Sequence, residues 1–84
     1  MAHFEKKIRT PQGSLNFYLN RIYTTEGLRY HISVTDYNRK AHSFNMEEKN
    51  GEWQLVNSST CPEWIVEIEK DIEKVILDHL ASVK

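Results

Sequence analysis

Leu28, Tyr30, Ile32 and Val34 alternate with Arg29, His31, Ser33 and Thr35, the clearest period-two stretch in the chain. Such alternation marks a strand with one face buried and one in water. The same rhythm predicts further strands. His3 to Arg9 sets Phe4 and Ile8 against Lys7 and Arg9. Ser14 to Thr24 sets Leu15, Phe17 and Leu19 inward. Ala41 to Glu48 turns Phe44 and Met46 inward, and a segment near 52–57 does the same with Trp53 and Leu55. In the second segment Tyr18 and Ile22 fall on the opposite phase, and a bulge near Asn20-Arg21 is expected to shift them.

The breaks are punctuated by turn chemistry. Pro11-Gln12-Gly13, Thr25-Glu26-Gly27 and Asp36-Tyr37-Asn38-Arg39 separate the first four strands. Asn50-Gly51 is the strongest hairpin signal, because a two-residue type I′ turn needs positive φ at both central positions.

From Pro62 the period changes. Trp64, Ile65, Ile68, Ile72, Val75, Ile76 and Val83 fall on one helical face, and Glu67, Lys70, Asp71, Lys74 and Asp78 on the other. A helix over about 62–81 is predicted, unbroken by Gly or Pro and roughly 28–30 Å long. Thr60 with Glu63 has capping-box spacing, and Cys61 ahead of Pro62 is the alternative cap. Burying those seven apolar side chains contributes on the order of 10–20 kcal/mol before entropy. Propensity supplies only tenths of a kcal/mol per residue, so docking holds the helix in place. The expected fold is α+β: one domain, an antiparallel meander of about five strands with a long C-terminal helix across one face.

At 84 residues such a core is thin, even with two Trp, four Tyr and three Phe. Burial against a second copy would help it. Formal net charge is −1, which excludes a strong overall field toward nucleic acid or membrane. The charge is uneven: residues 1–42 carry seven Lys/Arg against three Asp/Glu, and residues 43–84 carry four against nine. Cys61 is the only cysteine, so neither an internal disulfide nor a thiolate metal cluster is expected. No apolar run approaches membrane-spanning length and Met1–Lys6 has no apolar segment, so the expectation is a cytoplasmic chain without signal peptide or membrane partner.

Four features carry candidate chemistry. The uncovered sheet face brings Lys7, Arg9, Tyr18, Arg29 and His31 together, and cations beside a ring suit single-stranded nucleic acid. A β-meander followed by a helix is similar in order to PUR and Whirly modules, though none of their motifs is present. Second, Val66, Leu77 and Leu80 lie off the main helix stripe around Glu73, where a second subunit would bury them. Third, His79 falls on the apolar helix face and reads as a partly buried structural histidine. Fourth, Cys61 sits near a helix start, and sheet pairing could bring His31 and His42 together, but no zinc spacing, Ser-His-Asp set, phosphate loop or carboxylate pair accompanies them. The sequence therefore predicts a non-catalytic binding module without cofactor or metal. It is expected to self-associate as a homodimer or meet an unspecified protein partner, with weak nucleic-acid binding as the alternative.

Overall fold

A computed structural model describes residues 3–82. The strands are β1 (His3–Thr10), β2 (Gly13–Thr24), β3 (Gly27–Thr35), β4 (Ala41–Lys49) and β5 (Glu52–Leu55). They form one antiparallel sheet in chain order, curled as a half-barrel. A single 3-10 turn at Ser58–Thr60 leads to α1 (Glu63–Glu67) and α2 (Glu69–Ser82). The α+β meander-plus-helix architecture is therefore the fold of the chain.

The alternation writes the core directly. Ile8, Leu15, Phe17, Leu19, Tyr30, Ile32, Val34, Phe44, Met46, Trp53 and Leu55 are buried on the covered face of the sheet, and Ile65, Ile68, Ile72 and Ile76 close it from the helices. Trp64 and Val75 pack against this cluster while half-buried; Val83 lies outside the described residues. At the β4–β5 hairpin, Asn50 (φ 54°) and Gly51 (φ 84°) both take positive φ, as a type I′ turn demands.

Three local expectations are corrected. No bulge interrupts β2: its pairing with β3 runs from Phe17↔Val34 to Thr24↔Gly27 without a slip. Tyr18 and Ile22 accordingly stay on the open face, where the strand needs no apolar residue, and are 49% and 40% exposed.

The helix is not one rod. It breaks at Ile68 (φ −101°, ψ 13°), whose N–H reaches back three residues to Ile65 O at 3.2 Å. This tightened turn re-aims the chain, so that Ile65 and Ile68 are both buried against the same curved sheet as Ile72 and Ile76.

The cap also differs. Pro62 occupies the N-cap position with no side-chain bond to the helix, and Thr60 Oγ1 instead donates to Asn57 O at 2.8 Å within the preceding turn. Neither Thr60 nor Cys61 caps α1.

Candidate functional site

The two edges of the sheet differ, and the difference starts from one hydrogen bond. Val56 N–H donates to Asn45 O at 2.9 Å. In an antiparallel pair, alternate residues turn their backbone groups toward the partner and the others turn away. Odd-numbered residues of β4 thus face β5, and even ones face β3. Carried across the registers, even residues of β3 face β4, even residues of β2 face β3, and even residues of β1 face β2. Trp53 and Leu55 of β5 must then point outward on one edge. His3, Glu5, Lys7 and Arg9 of β1 must point outward on the other.

The β5 edge is closed by side chains of α2. Glu69 Oε2 accepts Leu55 N–H at 2.8 Å and Glu73 Oε2 accepts Trp53 N–H at 2.9 Å. The two glutamates are one helical turn apart, so they sit over alternate strand residues. Carboxylate-to-amide bonds of this kind are charge-assisted and stronger than neutral ones. Lys70 steadies the arrangement, with Nζ 3.6 Å from Glu73 Oε1 and 3.7 Å from Glu52 Oε1.

No equivalent cover is present on β1 among the described residues. The strand has eight residues, with neither Pro nor bulge. Its open-face side chains read His3, Glu5, Lys7, Arg9 and its covered-face side chains Phe4, Lys6, Ile8, Thr10. Phe4 packs against the core and stacks on His79 of α2 at 3.7 Å and 11°. His79 is thus half-buried in the last turn of α2, on the side of the helix that meets the sheet.

The residues marked for nucleic acid do share the open face. Lys7, Arg9, Tyr18, Arg29 and His31 all lie opposite the helix. Their polar groups are partly matched within the chain. Arg29 Nη2 is 2.9 Å from Glu26 and 3.5 Å from Glu47, His31 Nδ1 lies 2.9 Å from Asn45 Oδ1, and Glu5 faces Tyr18 in register. Of the helix shoulder, Val66 and Leu77 are exposed, Leu80 packs against the core, and Glu73 belongs to the β5 edge.

His31 and His42 do not meet. His42 pairs in register with Val34 on the covered face, whereas His31 is on the open one. His42 Nε2 instead lies 2.9 Å from Asp36 Oδ2, while Asp36 Oδ1 accepts N–H from Asn38 and Lys40. The His42 bond, then the Lys40 and Asn38 amides, hold the Asp36 carboxyl below its ordinary range against the opposing effect of burial. Trp64 meets the His42 ring edge-on at 5.5 Å, so this pair ties the β3–β4 turn to the start of α1.

Beside it lies an open cleft of about 480 Å³ lined by His42, Ser43, Asn57, Thr60, Cys61 and others. Burial and the Glu69 charge push the Cys61 thiol up, away from the reactive thiolate. No group of three or more metal-ligating side chains occurs among the described residues, and none of their helices is long and apolar enough to cross a membrane. Comparison with family models, with curated proteins and with solved structures gave no match to this chain.

Proposed function

We propose that this chain is a small non-catalytic binding module that self-associates through the free edge of β1. The observation that carries the reading is the unequal treatment of the two sheet edges. One has its outward amides bonded by Glu69 and Glu73, while the other presents the backbone groups of His3, Glu5, Lys7 and Arg9. An uncovered edge is a template for another strand, and closed two-fold dimers are the commonest assembly. A thin core gains from the added burial.

Sedimentation equilibrium from micromolar to millimolar protein tests this. The wild type should pass from monomer to dimer, and Lys7→Pro should shift the transition to higher concentration. Proline at that position removes an outward N–H and leaves the β1–β2 ladder intact. A strict monomer at millimolar concentration overturns the reading.

A second reading, weak binding of single-stranded nucleic acid, draws on half-exposed Tyr18 with Lys7 and Arg9 on the same face. It predicts salt-sensitive affinity for oligonucleotides, lost when both cations become Ala. No binding at low salt removes it.

A further inference from the structure

The free edge also carries its own register, which matters only if the chain self-associates through β1 as proposed. Two copies of β1 must exchange bonds between residues whose backbone faces outward, and these are the odd-numbered ones. Phe4 and Ile8 must also stay on the covered face in both copies, since a one-residue slip would send them to water. A two-fold axis meeting these conditions near the strand centre passes through Glu5, Lys6 or Lys7.

The three choices differ in what they set opposite what. An axis on Glu5 faces that carboxylate with itself and puts Lys6 across from Phe4. An axis on Lys7 faces that ammonium with itself and sets Glu5 against Arg9 twice, but puts Lys6 across from Ile8 and Phe4 across from Thr10. An axis on Lys6 sets Glu5 against Lys7 twice, His3 against Arg9 twice and Phe4 against Ile8 twice. The narrow, doubly bonded pairs are then Glu5–Lys7 and His3–Arg9, each formed in both directions.

We propose that two copies of this chain pair β1 to β1 antiparallel about a two-fold axis at Lys6, with Glu5 of each copy opposite Lys7 of the other. The two five-stranded sheets become one, and the covered-face row of Phe4 and Ile8 runs on across the junction. Opposite charges directly across an antiparallel pair attract and like charges repel, which disfavours the Glu5 axis. Between the other two the charge balance is equal, and the apolar row decides, because only the Lys6 axis sets Phe4 against Ile8.

Lys6 sets the limit on affinity. It lies on the covered face of an edge strand and meets its own copy on the axis, which is how sheet proteins weaken edge-to-edge pairing. Lys6 also lines a cleft of about 330 Å³ together with Phe4, Asp78 and His79 of the same chain. The pairing is therefore reversible, and replacing Lys6 should tighten it.

Sedimentation equilibrium on charge-reversed chains decides the register. Glu5→Lys alone and Lys7→Glu alone each turn two attractive pairs into repulsive ones, so each should weaken dimerisation by about tenfold or more. Mixing the two single variants should restore association, because a chain with two cations then faces a chain with two carboxylates. The double variant should self-associate within about threefold of wild type, and Lys6→Thr should associate more tightly than wild type. Circular dichroism confirms that each variant is folded. If the wild type dimerises but single and mixed samples behave alike, the Lys6 axis is wrong and self-association stands. If the wild type stays monomeric, both fall.

Discussion

Glu73 of α2 accepts the backbone N–H of Trp53 at 2.9 Å, and by doing so it ends the sheet. The carboxylate occupies the position a sixth strand would need for its carbonyl. Glu69 repeats the contact at Leu55, two residues along β5 and four along the helix. Strand residues that face one edge recur every two positions, a rise of about 6.8 Å, while one helical turn advances about 5.4 Å. The near match lets consecutive turns of a single helix serve consecutive outward amides. β5 has only four residues, so these two bonds deal with every outward amide it has between the hairpin and its end.

Removing this cover should have two separable effects. Glu69→Ala and Glu73→Ala each delete a charge-assisted bond to a backbone amide, which costs about 1–3 kcal/mol in urea unfolding. Glu→Gln at either site should cost less, since the amide oxygen still accepts. In both alanine variants the amide of Leu55 or Trp53 should exchange faster with solvent, ahead of its neighbours on β4. If the β5 edge is truly closed by these side chains, the double alanine variant should also associate in a manner that Lys7→Pro does not suppress. Unchanged exchange at Trp53 in Glu73→Ala would contradict the geometry.

The sequence made the sheet visible and hid its edges, for a physical reason. Period-two patterning reports which side chains are inward, so Leu28 through Thr35 could be assigned from eight letters, and Asn50-Gly51 announced its turn. Tyr18 and Ile22 misled because they are apolar on an exposed face, where composition is weakly constrained. Glu69 and Glu73 gave no local sign at all. Glu69 looks like a member of a solvated helix face and Glu73 like part of a shoulder for a second subunit, while their role depends on strand amides fourteen and twenty residues away. The separation of His31 from His42 was legible in the phase of the strands: His42 shares its phase with Phe44 and Met46, which places it on the covered face and apart from His31. The break at Ile68 has no Gly or Pro to mark it, and comes from fitting a helix to a curved sheet.

The β1–β2 turn should be sensitive to a single methyl group. Gly13 has φ +106°, and a Cβ there would lie 2.6 Å from Tyr37 Oη and 3.0 Å from its ring. Tyr37 is 64% exposed, and one hydrogen bond places its ring there, the hydroxyl donating to Ser14 O at 3.1 Å. Gly27 ends the next hairpin at φ +127° with nothing within 4 Å of its missing Cβ. Gly27→Ala therefore reports backbone strain alone, about 1–3 kcal/mol, whereas Gly13→Ala adds the smaller cost of displacing the exposed Tyr37 ring and its bond to Ser14. Urea midpoints should rank wild type above Gly27→Ala above Gly13→Ala. A Tyr37→Ala background should bring the cost of Gly13→Ala down toward that of Gly27→Ala. Equal costs for Gly13→Ala with and without Tyr37 would show that the ring is not where the structure puts it.

Acid should loosen the link between the β3–β4 turn and the helix start. In the folded chain Asp36 is hydrogen-bonded by His42 and by the amides of Lys40 and Asn38, which hold its carboxyl below the ordinary range. The unfolded chain lacks those donors and takes up a proton near the usual value of about 3.9. A carboxyl depressed by folding contributes its full stabilisation above the unfolded pKa and loses it as pH falls through the folded one. Asp36→Asn cannot titrate there, so its deficit relative to wild type should be largest near neutral pH and shrink steadily below the ordinary carboxylate range. His42→Ala removes the largest contributor to the depression. It should narrow the same acid-dependent window while also freeing the edge of Trp64. Urea midpoints collected from neutral pH down to the acid limb, for wild type and both variants, give the comparison. A deficit in Asp36→Asn that stayed constant across that range would mean that the carboxylate charge adds nothing to this junction.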